Sequence, residues 1–179
     1  MVTAKFTTKA TSLEEFIANP TENAEWVNGQ IVEKNGVTFQ HSKIQSRLDR
    51  SWGNYMVSSE QGGEVCVEVP CRTNKQVRRP DVAYITADLL AQFGEFETLP
   101  QSFPLLAEIA LPTDLVEDFF AKAQEYLAAN ALEVWLVIPK VKYILVITQT
   151  QCLRFQSGEV AKTQAVLNGF SIPVDELFV

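Results

Sequence analysis

Residues 78–85, Arg-Arg-Pro-Asp-Val-Ala-Tyr-Ile (RRPDVAYI), decide the fold, because an aspartate set directly after a proline and two arginines runs into residues that favour a buried strand. A second carboxylate, Glu108, follows 108 − 81 = 27 positions after Asp81, in LLAEIAL (105–111), another short apolar run that Pro112 closes. Val82 and Tyr84 accompany one acid; Leu106 and Ile109 accompany the other. An unpaired carboxylate in such surroundings is expensive. Each is therefore expected at an exposed strand end, or hydrogen-bonded, salt-bridged or metal-bound. Arg78 and Arg79 are ready partners for Asp81, whereas the run around Glu108 contains no adjacent cation.

Upstream, EVCVEVPCR (64–72) alternates, with Val65, Val67 and Val69 on one side and Cys66 and Glu68 on the other, and reads as one strand. It is expected to pair antiparallel with RRPDVAYIT through the basic loop RTNKQVRR, which carries Arg72, Lys75, Arg78 and Arg79 and no acid. Downstream, residues 87–103 contain a short helix, ADLLAQF, and a Glu- and Pro-containing connection that looks like a flexible excursion. After LLAEIAL, Thr113 or Asp114 is expected to cap a helix through about Ala129. Phe119, Ala123, Tyr126 and Leu127 define its apolar side, and Lys122 borders it. The Lys122 ammonium either snorkels to solvent or turns back toward the Glu108 strand. EVWLVI, KYILVIT and CLRFQ read as further strands, and VDELF as a last turn of helix.

Toward the N-terminus, Ser12 and Glu15 have capping-box spacing and open a short helix that Pro20 ends. AEWV and QIVE flank Asn28-Gly29, a dipeptide suited to a two-residue hairpin turn, and a second pair, Asn35-Gly36, releases the chain. From His41 to about Ser58 the pattern is helical, with Ile44, Leu48 and Tyr55 near one face. Lys43, Arg47 and Arg50 stripe another face, either as a solvated surface or as phosphate contacts.

A chain of 179 residues, 46% hydrophobic and 21% charged, suits one α/β or α+β domain with a full core. Its net charge of -7 counts against a general polyanion binder, so a nucleic-acid role requires a local basic patch or a metal. MVTAKFTTKA holds no long apolar segment; neither a signal peptide nor a membrane span is expected, and the expected location is the cytoplasm. Cys66, Cys71 and Cys152 lack metal-ligand spacing and His41 is the only histidine, so no zinc site and reduced thiols are expected. A cysteine-nucleophile hydrolase fits poorly, because Cys66 and Cys71 fall on opposite faces of the one predicted strand.

Taken in order, AEWVNGQIVE, the helix start at His41, RRPDVAYIT, LLAEIALPTD, the KAQEYL helix, EVWLVIP and the closing NGFSIPVDELF resemble the Uma-two family of restriction-endonuclease-like proteins, in the PD-(D/E)XK nuclease superfamily. The resemblance spans nearly the whole chain. It implies an α/β (α+β) restriction-endonuclease-like core, a mixed sheet flanked by helices, with an N-terminal helix and β-hairpin. The implied layout is one domain over 1–179: helix and hairpin in 1–36, nuclease-like core in 41–138, C-terminal strands in 139–179. It further implies an endonuclease that hydrolyses DNA phosphodiesters with Mg²⁺ (or Mn²⁺) held by Asp81 and Glu108. Lys122 matches a catalytic lysine carried on the helix; Glu25 and His41 match accessory positions. Lys43, Arg47, Arg50, Arg72, Lys75, Arg78 and Arg79 are the candidate backbone contacts, and a homodimer is expected if both strands of a duplex are cut. The chain departs from the family pattern at Ala110, where the superfamily commonly has lysine, at Leu111, where relatives often have serine, and at Ile138, where they often have an acid. These departures leave the carboxylate pair in place and open an alternative: a weakened or inactive relative acting as a binding or assembly module.

Overall fold

The Ser12 hydroxyl accepts the Glu15 N–H and the Glu15 carboxylate accepts the Ser12 N–H, at 3.1 and 2.9 Å. In this computed structural model, which describes residues 6–7, 12–34 and 37–179, that capping box opens α1 (Leu13–Ala18), after a first short strand β1 (Phe6–Thr7). The hairpin of β2 (Ala24–Val27) and β3 (Gln30–Glu33) follows, turning at Asn28 (φ 51°) and Gly29 (φ 82°), the left-handed pair that the dipeptide tolerates best. Asn35-Gly36 lies outside the described residues. Helix α2 (Phe39–Ser58) starts two residues ahead of His41, because the Thr38 hydroxyl caps the His41 N–H. Its buried line is His41, Ile44, Leu48 and Trp52, with Tyr55 packed at the margin.

The expected single strand EVCVEVPCR is two strands in two sheets. β4 (Glu64–Val67) ends where Glu68 adopts φ 55°, a left-handed conformation that breaks the pleat, and Pro70 has no N–H to continue a ladder. β5 (Cys71–Arg72) then pairs with β6 (Val77–Arg78), so most of RTNKQVRR is a hairpin of the five-stranded sheet β1-β3-β2-β6-β5. Cys66 and Cys71 consequently belong to different sheets. β4 still pairs antiparallel with β7 (Val82–Ile85), as expected.

Residues 87–103 are not an excursion. After α3 (Ala87–Phe93), Leu99 and Phe103 are fully buried, and Leu99 exchanges backbone hydrogen bonds with Pro70 and Arg72 at 3.0 and 2.8 Å. Two apolar anchors fasten a stretch whose polar letters read as loop. The rest runs β8 (Leu105–Ile109), α4 (Val116–Ala128), β9 (Glu133–Ile138), β10 (Tyr143–Ile147), β11 (Cys152–Phe155), β12 (Val160–Lys162), β13 (Ser171–Pro173) and α5 (Val174–Phe178). The cap of α4 is Leu115, with no side-chain hydrogen bond; Asp114 instead accepts the Leu111 N–H at 2.8 Å and tightens the turn before the helix.

The larger sheet has the order β11-β10-β9-β8-β7-β4 and is antiparallel except between β8 and β9, which α4 connects as a crossover. Alternation along the strands builds two cores. Val82, Tyr84, Leu105, Ala107, Ile109, Trp135 and Val137 pack with α2 and α5, while Ala83, Ile85, Leu106, Val134 and Leu136 pack with α4. Among the described residues, no helix is long and apolar enough to cross a membrane.

Candidate functional site

β7 and β8 pair with Val82 opposite Ala107; Asp81 stands immediately before β7, and Glu108 follows Ala107 within β8. Asp81 is fastened to β8 by its N–H on the Ala107 carbonyl (3.1 Å) and by the Ile109 N–H on its Oδ2 (2.7 Å). The two acids that the sequence presents separately thus face one cavity of about 200 Å³, which His41, Lys34, Leu111 and Lys122 also line. Neither takes the exposed strand-end solution. Asp81 is 1% and Glu108 4% exposed, so each is satisfied by partners instead.

Asp81 is held by Lys34, whose ammonium lies 2.8 Å from Oδ1, and by His41, whose Nε2 lies 3.1 Å from Oδ2. Arg78 and Arg79, the adjacent cations, do not pair with it. Burial works to raise the Asp81 pKa, but the Lys34 ammonium and the hydrogen bond from His41 overcome it and hold the carboxyl well below its usual range. Glu108 accepts the Tyr126 hydroxyl at 2.6 Å and Lys122 Nζ at 2.9 Å. Complete burial dominates there, and with the nearby Asp81 and Glu25 charges it outweighs Lys122, pushing Glu108 up to about 7. Paired carboxylates with pKa values driven apart are a mark of sites that handle protons or cations.

Lys122 turns back into the fold, as one of its two readings held. Its ammonium bridges Glu108 and Glu25 Oε1, each at 2.9 Å. Burial works against the charged amine, yet the two carboxylates raise its pKa. Ala110 lies two residues after Glu108 and packs toward the α4-side core, so the ammonium absent from the strand is delivered from the helix. Glu25 also accepts the Arg79 N–H (3.0 Å) and Arg78 Nη1 (3.1 Å). Despite its burial, the cations Lys122, Arg78 and Lys34 lower it to about 2.

The remaining basic candidates do not converge on this cavity. Arg78 is clamped between Glu25 and Glu125, whose carboxylate takes its Nε and Nη2. Arg72 lines a separate cavity with Asn74, Gln101 and Asn130, and Lys75 is exposed in the hairpin turn. On α2, Lys43 lies over the Phe39 ring, Arg47 reaches the Leu177 carbonyl at 3.4 Å, and Arg50 is exposed. Conversely, Lys34, Gln45, Glu68, Glu125 and Tyr126 belong to the network without having been singled out in the sequence. Tyr126 appeared there only as part of the apolar side of its helix, and Glu68 only as one side of a predicted strand. These residues come from the ends of a hairpin, a helix face and a strand break that meet only after folding.

A mixed sheet that brings an aspartate before one strand and a glutamate in the next to one cavity, with a helix-borne lysine on the glutamate, is a nuclease-fold arrangement. The chain belongs to the Uma2 family, described as "Putative restriction endonuclease", whose model matches residues 11–175. It is similar in fold to a crystal structure from Anabaena variabilis described as "a putative nuclease belonging to DUF820", with a TM-score of 0.82 over 94% of this chain and 97% of that one, at 19% identity. No curated protein matches the chain.

The family implies a divalent cation, and the donors suit one in kind. Two carboxylates face a shared cavity with room for water, and Mg²⁺ commonly takes one or two carboxylates while keeping several waters. Among the described residues no group of three or more His, Cys, Asp or Glu side chains is placed to hold a metal.

Proposed function

We propose that this chain is a metal-dependent endonuclease acting on DNA, with Asp81 and Glu108 holding Mg²⁺ or Mn²⁺. The observation that carries the proposal is the convergence of these two buried acids on one cavity, with the Lys122 ammonium 2.9 Å from Glu108. When bound, such a cation makes water a better nucleophile and neutralises charge growing on phosphoryl oxygens. The protein groups do the rest. His41 and the Ile109 N–H orient Asp81, Tyr126 orients Glu108, and Glu25 holds the Lys122 ammonium beside Glu108, where it steadies the attacking water or the phosphoryl charge. The basic residues of α2 and of the β5–β6 hairpin contact DNA only beyond the reacting phosphodiester. Two copies related by a twofold axis would present two such sites to a duplex.

The test is calorimetric titration of Mn²⁺ into the wild type, Asp81→Ala and Glu108→Ala, followed by cleavage assays on varied substrates. Stoichiometric binding lost in either variant, and metal-dependent cleavage lost with it, is the expected result. An Asp81→Ala protein that cleaves like the wild type would refute the assignment.

A second reading, a non-catalytic binding module, is favoured by Leu111, which puts an apolar side chain on the cavity where relatives often carry a hydroxyl. A folded wild type without Mn²⁺ affinity, alone or with DNA, would select it.

A further inference from the structure

Lys34 puts a part-buried ammonium against Asp81. It follows β3, and its N–H extends the hairpin by bonding the Asn23 carbonyl at 2.7 Å. Its ammonium meets Asp81 Oδ1 at 2.8 Å, Glu68 Oε2 at 2.8 Å and the Arg79 carbonyl at 2.7 Å. An ammonium has three N–H donors, and here all three are used. The acceptors are two carboxylates and a peptide carbonyl, the hard-oxygen set that Mg²⁺ or Mn²⁺ also prefers.

This cradle is built rather than incidental. Glu68 reaches it because the left-handed backbone at that residue (φ 55°) ends β4. Gln45 of α2 then fixes two of its walls, donating to Glu68 Oε1 at 3.1 Å and to the Asp81 carbonyl at 2.9 Å. The other Asp81 oxygen is taken by His41 and the Ile109 N–H, so Oδ1 is the oxygen aimed at the cradle. The Lys34 side chain is 21% exposed, which leaves it a way out toward solvent without unfolding the hairpin.

We propose that the Lys34 ammonium is the resident cation of this cradle, and that a divalent metal enters the Asp81 and Glu108 site only by displacing it. Lys34 is thereby the residue that sets metal affinity, and its departure releases Glu68 as a further oxygen donor. This rests on the assignment of Asp81 and Glu108 as metal ligands. It goes beyond that assignment by predicting that the site in this chain is self-occupied and that removing one side chain opens it.

Calorimetry with Mn²⁺ at constant pH on the wild type, Lys34→Met and the double variant Lys34→Met/Asp81→Asn tests it. Lys34→Met should bind at least tenfold more tightly than the wild type, and the double variant should lose that gain. A folded Lys34→Met that binds equally or more weakly overturns the proposal while leaving the metal assignment standing. If neither protein binds Mn²⁺, the proposal and the assignment fall together. A second measurement uses the wild type alone: reductive methylation read by mass spectrometry should find Lys34 protected without metal and modified at saturating Mn²⁺. Should Lys34→Met fail to fold, this labelling decides, and a wild type showing no metal-induced change at Lys34 overturns displacement.

Discussion

Glu25 is the residue on which most of the buried charge network depends, since its two oxygens serve Lys122, Arg78 and the Arg79 N–H together. Removing one partner of a buried ion pair strands the other in a low-dielectric interior. Glu25→Gln should therefore destabilise the protein by about 3 kcal/mol in urea unfolding. Tyr126→Phe removes a single hydroxyl that donates to Glu108 at 2.6 Å. Its expected cost is about 1–2 kcal/mol with the fold retained, measured by the same denaturation. Lys122→Met separates chemistry from metal binding: Mn²⁺ affinity should persist while cleavage falls by about 100-fold, the scale for losing one preorganised charge stabiliser. Equal losses of binding and cleavage would instead make Lys122 a structural counter-ion only.

At the scale of elements, the site is a meeting of ends. The β2–β3 hairpin brings Glu25 and Lys34, the first turns of α2 bring His41 and Gln45, the break after β4 brings Glu68, and α4 brings Lys122, Glu125 and Tyr126. The joint between α2 and β4 has little tolerance. Gly63 has φ 89°, and a Cβ there would lie 2.2 Å from the Ile85 carbonyl oxygen. Gly63→Ala should cost about 2 kcal/mol or more and shift β4 against β7, visible as a lowered unfolding midpoint. Glu133, at the start of β9, accepts Trp135 Nε1 at 2.6 Å and the N–H groups of Gln164 and Ala165 at 2.7 and 2.8 Å, pinning the segment between β12 and β13. Those two short strands had no alternating run long enough to read in the sequence. Their placement relies on a buried acid whose partners are about thirty residues away in the chain.

At the scale of the molecule, opposed pKa shifts set how stability varies with pH. Glu25 is lowered from 4.5 to about 2, so the stability it contributes is present above about pH 4.5 and is lost as pH falls through 2; Asp81, also lowered, acts in the same direction. Glu108 is raised from 4.5 to about 7, so its contribution is present below about pH 4.5 and is lost as pH rises through 7; Glu68 and Glu133, raised by burial, add to that side. The effects of Glu25 and Glu108 are each on the order of 3 kcal/mol. Urea midpoints should thus be highest near about pH 5 and decline on either side. Under the proposed metal assignment, Mn²⁺ should offset the decline above pH 7, where Glu108 is ionised. A flat profile from about pH 4 to 8 would contradict the burial of these acids.

Legible in the sequence were the strand that follows Asp81, the strand that holds Glu108, the helix that carries Lys122, the capping box at Ser12 and the turn at Asn28-Gly29, because periodicity, caps and turn preferences act between residues close in the chain. It also showed that two acids sat where burial was favoured and needed partners. Tertiary structure alone decided who those partners are. Asp81 took Lys34, 81 − 34 = 47 positions away, rather than the neighbouring arginines, and the left-handed turn at Glu68 divided one apparent strand between two sheets. Leu99 and Phe103 became anchors in a stretch that reads as loop. Local pattern specifies which face of an element is apolar, but the neutralisation of a buried charge depends on which distant ends the packed sheets bring within hydrogen-bond reach.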